Sequence, residues 1–348
     1  MVYLVGVDSG GTHTNIQVLT ADGKKKAVAE VDRSLTSNRT NIELKEVFTE
    51  IFSAVEGHIL GDPACVWINS AGYSAPSRSR MEGLLDEAIR QLNVRVGISN
   101  DGVGLLLAHD SELVAIIAGT GSVTMARSPA GEVITRGGDE WVVADYGSAF
   151  WIGLDGIRAA YRALEGGPDT AMLNCFLEHF SPLKDDDARR DARIAVREIA
   201  RRLASHGTDT KPTIASFASQ VTREAELGDD EAQKIVRHAV EDLAGAAARV
   251  YRELAAQAEG RVVAPRFLLC GSVGYRSPFY FEAFRASLDQ FLFDVRESAH
   301  RPIEFGRQLN GVSEAITLAR RLYEDKSIPL LDSQHPFSIE VSDNYRPG

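Results

Sequence analysis

Cysteine is scarce. The 348 residues contain three, Cys65, Cys175 and Cys270, far apart and without C-x-x-C spacing. That excludes a disulfide framework and a cysteine-held metal cluster, and it points to reduced, buried thiols in a cytoplasmic protein. Long apolar runs are missing as well, since no stretch approaches the ~20 residues that span a bilayer. The apolar start is interrupted by Asp8 and has no basic leader, so neither a membrane segment nor a signal peptide is expected. Positive charge is in deficit, with 38 Lys and Arg against 49 Asp and Glu and a net charge of -11. Nucleic acid and anionic membranes are therefore poor partners. A phosphorylated small molecule stays open, because a few local dipoles outweigh a global charge.

What is present is an ordinary globular composition, 44% hydrophobic and 25% charged, in a chain long enough for two domains. The first 100 residues read as alternating strands and helices. Tyr3–Val7, Asn15–Thr20 and Ala27–Val31 are strands, with a hairpin signal at Ala21-Asp22-Gly23. Ile42–Glu56 has helical spacing of Leu44, Val47, Phe48, Ile51, Phe52 and Val55. A buried strand follows at Ala64–Asn69, then a helix at Arg80–Leu92, then a strand through Val94, Val96 and Ile98 that stops at Asn100-Asp101. The pattern then starts again, with strands at Leu113–Ala118, Val123–Ala126 and Val133–Thr135. Gly11 to Gly23 spans twelve residues, and so does Gly119 to Gly131. This repetition suggests a duplicated lobe. The second half is mainly helical, over Leu154–Ala163, Thr170–His179, Asp187–Ala204, Ile214–Ala225 and Asp229–Ala258. Asp185-Asp186-Asp187 reads as an acidic helix start rather than a metal cluster. Phe267–Cys270 is a buried strand, with helices from Pro278 and over Val312–Glu324. The tail from Pro329 has no pattern.

Three buried strands end in glycine plus a hydroxyl residue: Asp8-Ser9-Gly10-Gly11-Thr12, Gly119-Thr120-Gly121-Ser122 and Gly271-Ser272. Glycine lets a backbone approach a ligand and turn its N–H groups toward it, and hydroxyls add donors without bulk. None of the turns matches the P-loop G-x-x-x-x-G-K-[ST] or the dinucleotide pattern G-x-G-x-x-G. Together they suit a nucleotide-phosphate cradle. Asp8 at the first strand end can hold Mg²⁺ against phosphates, or can simply cap its turn. Asp101 can accept a proton from an attacking hydroxyl, or can belong to an Asn-Asp-Gly turn. Asp145, in Gly137-Gly138-x6-Asp145-Tyr146-Gly147-Ser148-Ala149, can bind sugar hydroxyls or serve as a helix cap.

In this order the motifs Asp-x-Gly-Gly-Thr, Asn-Asp, Gly-Thr-Gly-Ser, Gly-Gly-x6-Asp-x-Gly-Ser-Ala-x-Trp-Ile and Gly-Ser-Val resemble the N-acetylglucosamine kinase family. That family belongs to the acetate-and-sugar-kinase, chaperone and actin superfamily, beside BadF/BcrA-type ATPases. The resemblance spans about residues 3 to 325. It implies an α/β fold of two ribonuclease-H-like, actin-like lobes around a central cleft. One lobe would cover residues 1–110, with the final helix at 312–325 packing back on it, and a larger lobe residues 111–311. It implies ATP held by Gly10, Gly11, Thr12, Thr120, Gly121, Gly271 and Ser272, with Ala215 nearby, and Mg²⁺ organised by Asp8. Asn38, Asn100, Asp101, Ser122, Gly137, Gly138 and Asp145 would line a sugar pocket. Asp101 would be the base for the 6-hydroxyl of N-acetylglucosamine or glucosamine. A homodimer is left open.

The sequence departs from the family at Asp139-Glu140, where Trp-Gly is usual, at Ala144-Asp145-Tyr146, and at Gly311-Val312-Ser313. Two added carboxylates could favour a free ammonium on the sugar, or could face solvent. Alternatives are a kinase for another hexose derivative, a BadF/BcrA-type ATPase driving a partner protein, and a sugar-binding regulator. The ATPases hold an iron–sulfur cluster on cysteines that have no counterpart here. A regulator would have lost the base, and the other large bacterial sugar-kinase group carries a cysteine-rich zinc loop, absent here.

Overall fold

The computed structural model describes residues 1–24, 26–60, 63–109, 112–180, 192–205, 210–258, 263–294, 302–325, 328 and 340–343. The acidic run 185–187 lies outside them. Two sheets are built in the same way. The first contains β1 (Tyr3–Ser9), β2 (Thr14–Thr20), β3 (Lys26–Val31), β4 (Cys65–Ser70), β5 (Arg95–Asn100) and β11 (Glu340–Asp343), in the order β11-β5-β4-β1-β2-β3. The second contains β6 (Val114–Ala118), β7 (Ser122–Arg127), β8 (Val133–Gly137), β9 (Arg266–Cys270) and β10 (Glu304–Gln308), in the order β10-β9-β6-β7-β8. Apart from the added β11, the second order repeats the first strand for strand: an antiparallel meander, then two parallel strands on the far side of its first strand. The suspected duplication is thus visible in the topology.

Strand parity decides what each face meets, because successive side chains point to opposite sides. Tyr3, Val5 and Val7 of β1 and Val66 and Ile68 of β4 pack with Leu44, Phe48 and Ile51 of α1 (Asn41–Glu56) and Met81 and Leu85 of α2 (Arg78–Ile89). Leu4 of β1 and Cys65 and Trp67 of β4 face the other way. They join α3 (Asp101–Ala108), the final helix α12 (Val312–Tyr323), and Ala115, Met125 and Cys270 of the second sheet. That third core lies between the sheets. Gly6 permits it: a Cβ there would sit 2.4 Å from the Ile316 backbone nitrogen, so α12 rests directly on β1. The outer face of the second sheet carries α4 (Ala149–Leu164), α5 (Met172–Phe180), α6 (Ala192–Ser205), α7 (Thr210–Ser216), α8 (Ala218–Leu227), α9 (Asp230–Ala256) and α11 (Pro278–Phe291) in one apolar cluster.

Several sequence expectations are corrected. Asn100, not Asp101, ends β5; Asn100 caps α3 by accepting from the Gly102 N–H, and Asp101 is the first residue of that helix. The expected helix over 214–225 is two, α7 and α8, broken around Phe217. The short α10 (Ser272–Arg276), β10 and β11 had no sequence signal, and β11 lies in the tail read as patternless. Among the described residues, no helix is long and apolar enough to cross a membrane.

Candidate active site

The ends of β1, β5, β6 and β9 open into one cavity of about 590 Å³ between the sheets. It is lined by Asp8, Gly10, Gly11, Thr12, Asn38, Asn100, Asp101, Thr120, Gly121, Ser122, Gly137, Gly138, Asp145, Gly271 and Ser272. Of the residues expected at the site, Ala215 alone lies elsewhere. It is buried in the helical cluster behind the second sheet, where α7 packs on α4.

The three glycine turns meet one another. A Cβ on Gly11 would lie 2.9 Å from the Thr120 side chain, and one on Gly271, whose φ is +121°, would lie 2.4 Å from the Ala118 carbonyl oxygen. These two glycines are therefore required by turn-against-turn packing. Gly119, by contrast, has open space where a Cβ would go. The second turn also rests on the N-terminus of α4. The Ala149 N–H donates to the Gly119 carbonyl at 2.8 Å and the Phe150 N–H to the Thr120 carbonyl at 3.2 Å. Two orphan donors of that helix are thereby satisfied, and its positive end stands behind the turn.

Asp8 and Asp101 form the acidic end of the cavity. No lysine or arginine pairs with either among the described residues. Burial first, then the Asp101 charge, pushes the Asp8 carboxyl up from 3.8 to about 7; the Gly311 N–H opposes this and the Glu314 charge adds to it. Burial raises Asp101 to about 6, against its hydrogen bond from the Gly102 N–H. A pair of uncompensated acids, Asp8 buried and Asp101 half-buried, is a fitting place for a divalent cation. The capping alternative for Asp8 fails, because it sits within β1 opposite Asn15.

Asp145 is held differently. Ser148, not Asp145, caps α4, accepting from the Trp151 N–H. Asp145 has a left-handed backbone, φ +67°, and is 3% exposed. Its Oδ1 accepts from the Ser122 N–H at 3.0 Å, and Lys211 Nζ lies 2.8 Å from Oδ2. A Cβ on Gly121 would meet the same carboxylate at 2.9 Å, so that glycine also makes room for a neighbour. Lys211 was not foreseen. It lies sixty-six residues from Asp145 and carries no motif of its own. It also stands 4.0 Å from Glu140, but both unusual acids, Asp139 and Glu140, are exposed at the cavity rim. Trp141, two positions beyond the family's usual tryptophan, lines the cavity with its ring 4.9 Å from that of Phe150. Asn38 is carried by a loop tied to both neighbouring strand ends: the Leu35 N–H donates to Ser9 Oγ at 2.7 Å, and Ser70 Oγ donates to the Leu35 carbonyl at 2.8 Å.

Known proteins agree with this architecture. An N-acetylmuramic acid/N-acetylglucosamine kinase of Clostridium acetobutylicum is 25% identical over 250 residues, 70% of this chain and 77% of that protein. An N-acetyl-D-glucosamine kinase of Dictyostelium discoideum is 26% identical over 200 residues, 53% of this chain and 62% of that protein. A crystal structure from Chromobacterium violaceum, assigned as an N-acetylglucosamine kinase, superposes with a TM-score of 0.62 at 21% identity, covering 92% of this chain and 99% of its own. A glucokinase from Streptomyces griseus with glucose and AMPPNP gives 0.51 at 17% identity, again over 92% and 99%. These two likenesses establish the actin-like, two-lobed fold of the sugar kinases. The family model for BadF/BadG/BcrA/BcrD ATPases matches residues 5–301, most of the chain, and the protein therefore belongs to that family.

Proposed function

We propose that the protein is an ATP-dependent amino-sugar kinase that phosphorylates the 6-hydroxyl of N-acetylglucosamine or glucosamine. The observation that carries this reading is the meeting of three glycine turns with two acids that no lysine or arginine pairs, Asp8 buried and Asp101 half-buried, in one interlobe cavity. The named relatives, two of them N-acetylglucosamine kinases, support the substrate class. In this reading the turns cradle the ATP phosphates with backbone donors and with Thr12 and Thr120, while Gly271 and Ser272 lie by the adenosine. Asp8 would hold Mg²⁺, which supplies charge neutralisation across the phosphates. Asn38, Asn100, Ser122, Gly137, Gly138 and Asp145 orient the sugar. Asp101, with a carboxyl raised toward the working pH, takes the proton from the attacking 6-hydroxyl. Most of the rate acceleration comes from in-line positioning and electrostatics. The lobe of residues 1–110 with 312–325 closes on that of residues 111–311 and excludes water that would otherwise hydrolyse ATP.

The test is a coupled ADP-release assay with Mg·ATP against N-acetylglucosamine, glucosamine, glucose, N-acetylmannosamine and N-acetylmuramate. Sugar-dependent turnover identifies the kinase and ranks its substrates. ADP release indifferent to every sugar overturns the reading in favour of an ATPase that drives a partner protein.

Two further results are expected. Lys211→Met leaves the nearly buried Asp145 charge without its counter-ion. Because Lys211 is itself partly exposed, the expected destabilisation is on the order of 1–3 kcal/mol. Urea melts of Lys211→Met, Asp145→Asn and the double variant check it, and additive effects would contradict the pairing. Asp139→Asn with Glu140→Gln should shift preference from glucosamine toward N-acetylglucosamine by roughly twofold to fivefold, the range of one weak charge contact. An unchanged ratio of kcat/KM values would show that neither acid reads the sugar nitrogen.

A further inference from the structure

Asn69 stands directly beside Asp8 in the parallel pairing of β4 with β1, and Ser99 stands beside Asn69 on β5. Parity turns all three toward α3 and α12, the face that carries Leu4 and Trp67. Asn69 is fully buried. Its Oδ1 accepts from Trp67 Nε1 at 3.0 Å and from Ser99 Oγ at 3.1 Å. Two donors on the oxygen fix the amide's orientation, so the NH₂ group points away and donates to the Gly311 carbonyl at 3.3 Å. Gly311 in turn lies against the Asp8 carboxylate, close enough for its N–H to oppose the rise that burial gives that carboxyl. One residue at the start of α12 is thus held through its carbonyl by Asn69 while its backbone abuts the Asp8 carboxylate. Space is made for this arrangement. A Cβ on Gly104 would lie 1.9 Å from Asn69 Oδ1, and a Cβ on Gly311 would lie 2.9 Å from Asp8 Oδ1. Asn69 itself does not line the cavity.

We propose that Asn69 is a positioning residue for the metal–nucleotide site, acting through Gly311 to hold the Asp8 carboxylate at the angle its cation needs. This rests on the kinase reading, in which Asp8 carries Mg²⁺. The chemistry requires an amide at position 69. Aspartate has the same shape but cannot donate to the Gly311 carbonyl, and alanine removes the grip without adding charge. Outer partners of metal ligands typically change metal affinity or activity by ~10–100-fold when removed.

The test is Mn²⁺ binding in the presence of ADP, followed by electron paramagnetic resonance, together with the Mg²⁺ dependence of kcat. Asn69→Ala is expected to weaken Mn·ADP binding by ~10-fold or more and to raise the Mg²⁺ needed for half-maximal kcat. The KM for sugar should stay within about twofold. Asn69→Asp separates positioning from charge. A positioning role predicts weaker binding despite the added negative charge, and tighter binding with full kcat overturns it. Gly311→Ala approaches the same carboxylate from the other side, at a backbone conformation alanine accepts (φ -91°, ψ 15°), and should reproduce the loss if Asn69→Ala does not fold. Wild-type Mn·ADP affinity in the folded variants, whatever their melting temperatures, overturns the role of Asn69 alone. Wild-type protein that binds no Mn·ADP overturns the kinase reading and this proposal together.

Discussion

Asp101→Asn is expected to lower kcat by ~10²–10⁴-fold, the usual contribution of a positioned base, while raising the thermal stability of the ligand-free protein at pH 8. Both effects come from one placement. The carboxyl begins α3 in the floor of the interlobe cavity, and burial lifts it from 3.8 to about 6. Asp8, raised to about 7, stands near enough to repel it. Groups that hold protons more tightly when folded than when unfolded make the native state the better proton binder between about pH 4 and pH 7. Stability therefore falls as pH rises through that window. For Asp101 the change corresponds to at most ~3 kcal/mol. The amide has no charge to desolvate and relieves Asp8 of a repelling neighbour, so the variant should melt several degrees higher at pH 8 and show no advantage at pH 4. Melting curves across this range, taken beside the ADP-release assay, decide both claims. Retained turnover removes Asp101 from the role of base. A lower melting temperature at pH 8 contradicts the picture of two acids strained by burial, which is the trade of stability for activity expected of a functional site.

Gly271→Ala should remove nucleotide binding and destabilise the fold by ~3 kcal/mol or more. The backbone there, φ 121° and ψ 161°, is a region that residues other than glycine enter only at a cost of ~1–3 kcal/mol. The new methyl would also stand 2.4 Å from the Ala118 carbonyl oxygen and 3.1 Å from the Gly119 nitrogen. Relief requires the ends of β6 and β9 to part, and two of the three glycine turns separate with them. Gly119→Ala is the matched comparison, for its Cβ meets nothing within 4 Å, and its stability should remain within ~0.5 kcal/mol of the wild type. Urea unfolding and calorimetric titration with Mg·ADP measure the two effects. Equal stability of the two variants would mean that the turns do not support each other.

These two glycines mark where reading the chain alone stops. Both follow an apolar strand and precede a hydroxyl residue, and the sequence treats them alike. The local signals were sufficient for the meander strands, for α1 and α9, and for the repetition of Gly11 to Gly23 in Gly119 to Gly131, because alternation, helical spacing and turn glycines act over a few residues. They also singled out Asp8, Asp101, Asp145 and the three turns that line the cavity, since polar residues at the ends of buried strands stand out against their surroundings. They failed where partners are distant. Lys211 and Asn69 have no local signature; one meets Asp145 across sixty-six residues and the other meets Gly311 across 242. Ala215 was carried into the site by resemblance alone, and the packing of α7 on α4 keeps it in the core. The strand β10 reads as nothing special because its partner, β9, supplies the ladder that makes it a strand. Pattern along the chain determined the elements and the chemical types at their ends. Which carboxylate is paired, which glycine packs against a neighbouring turn and which amide meets Gly311 were decided by contacts between residues far apart in sequence, and those exist only once the two sheets have folded against α3 and α12.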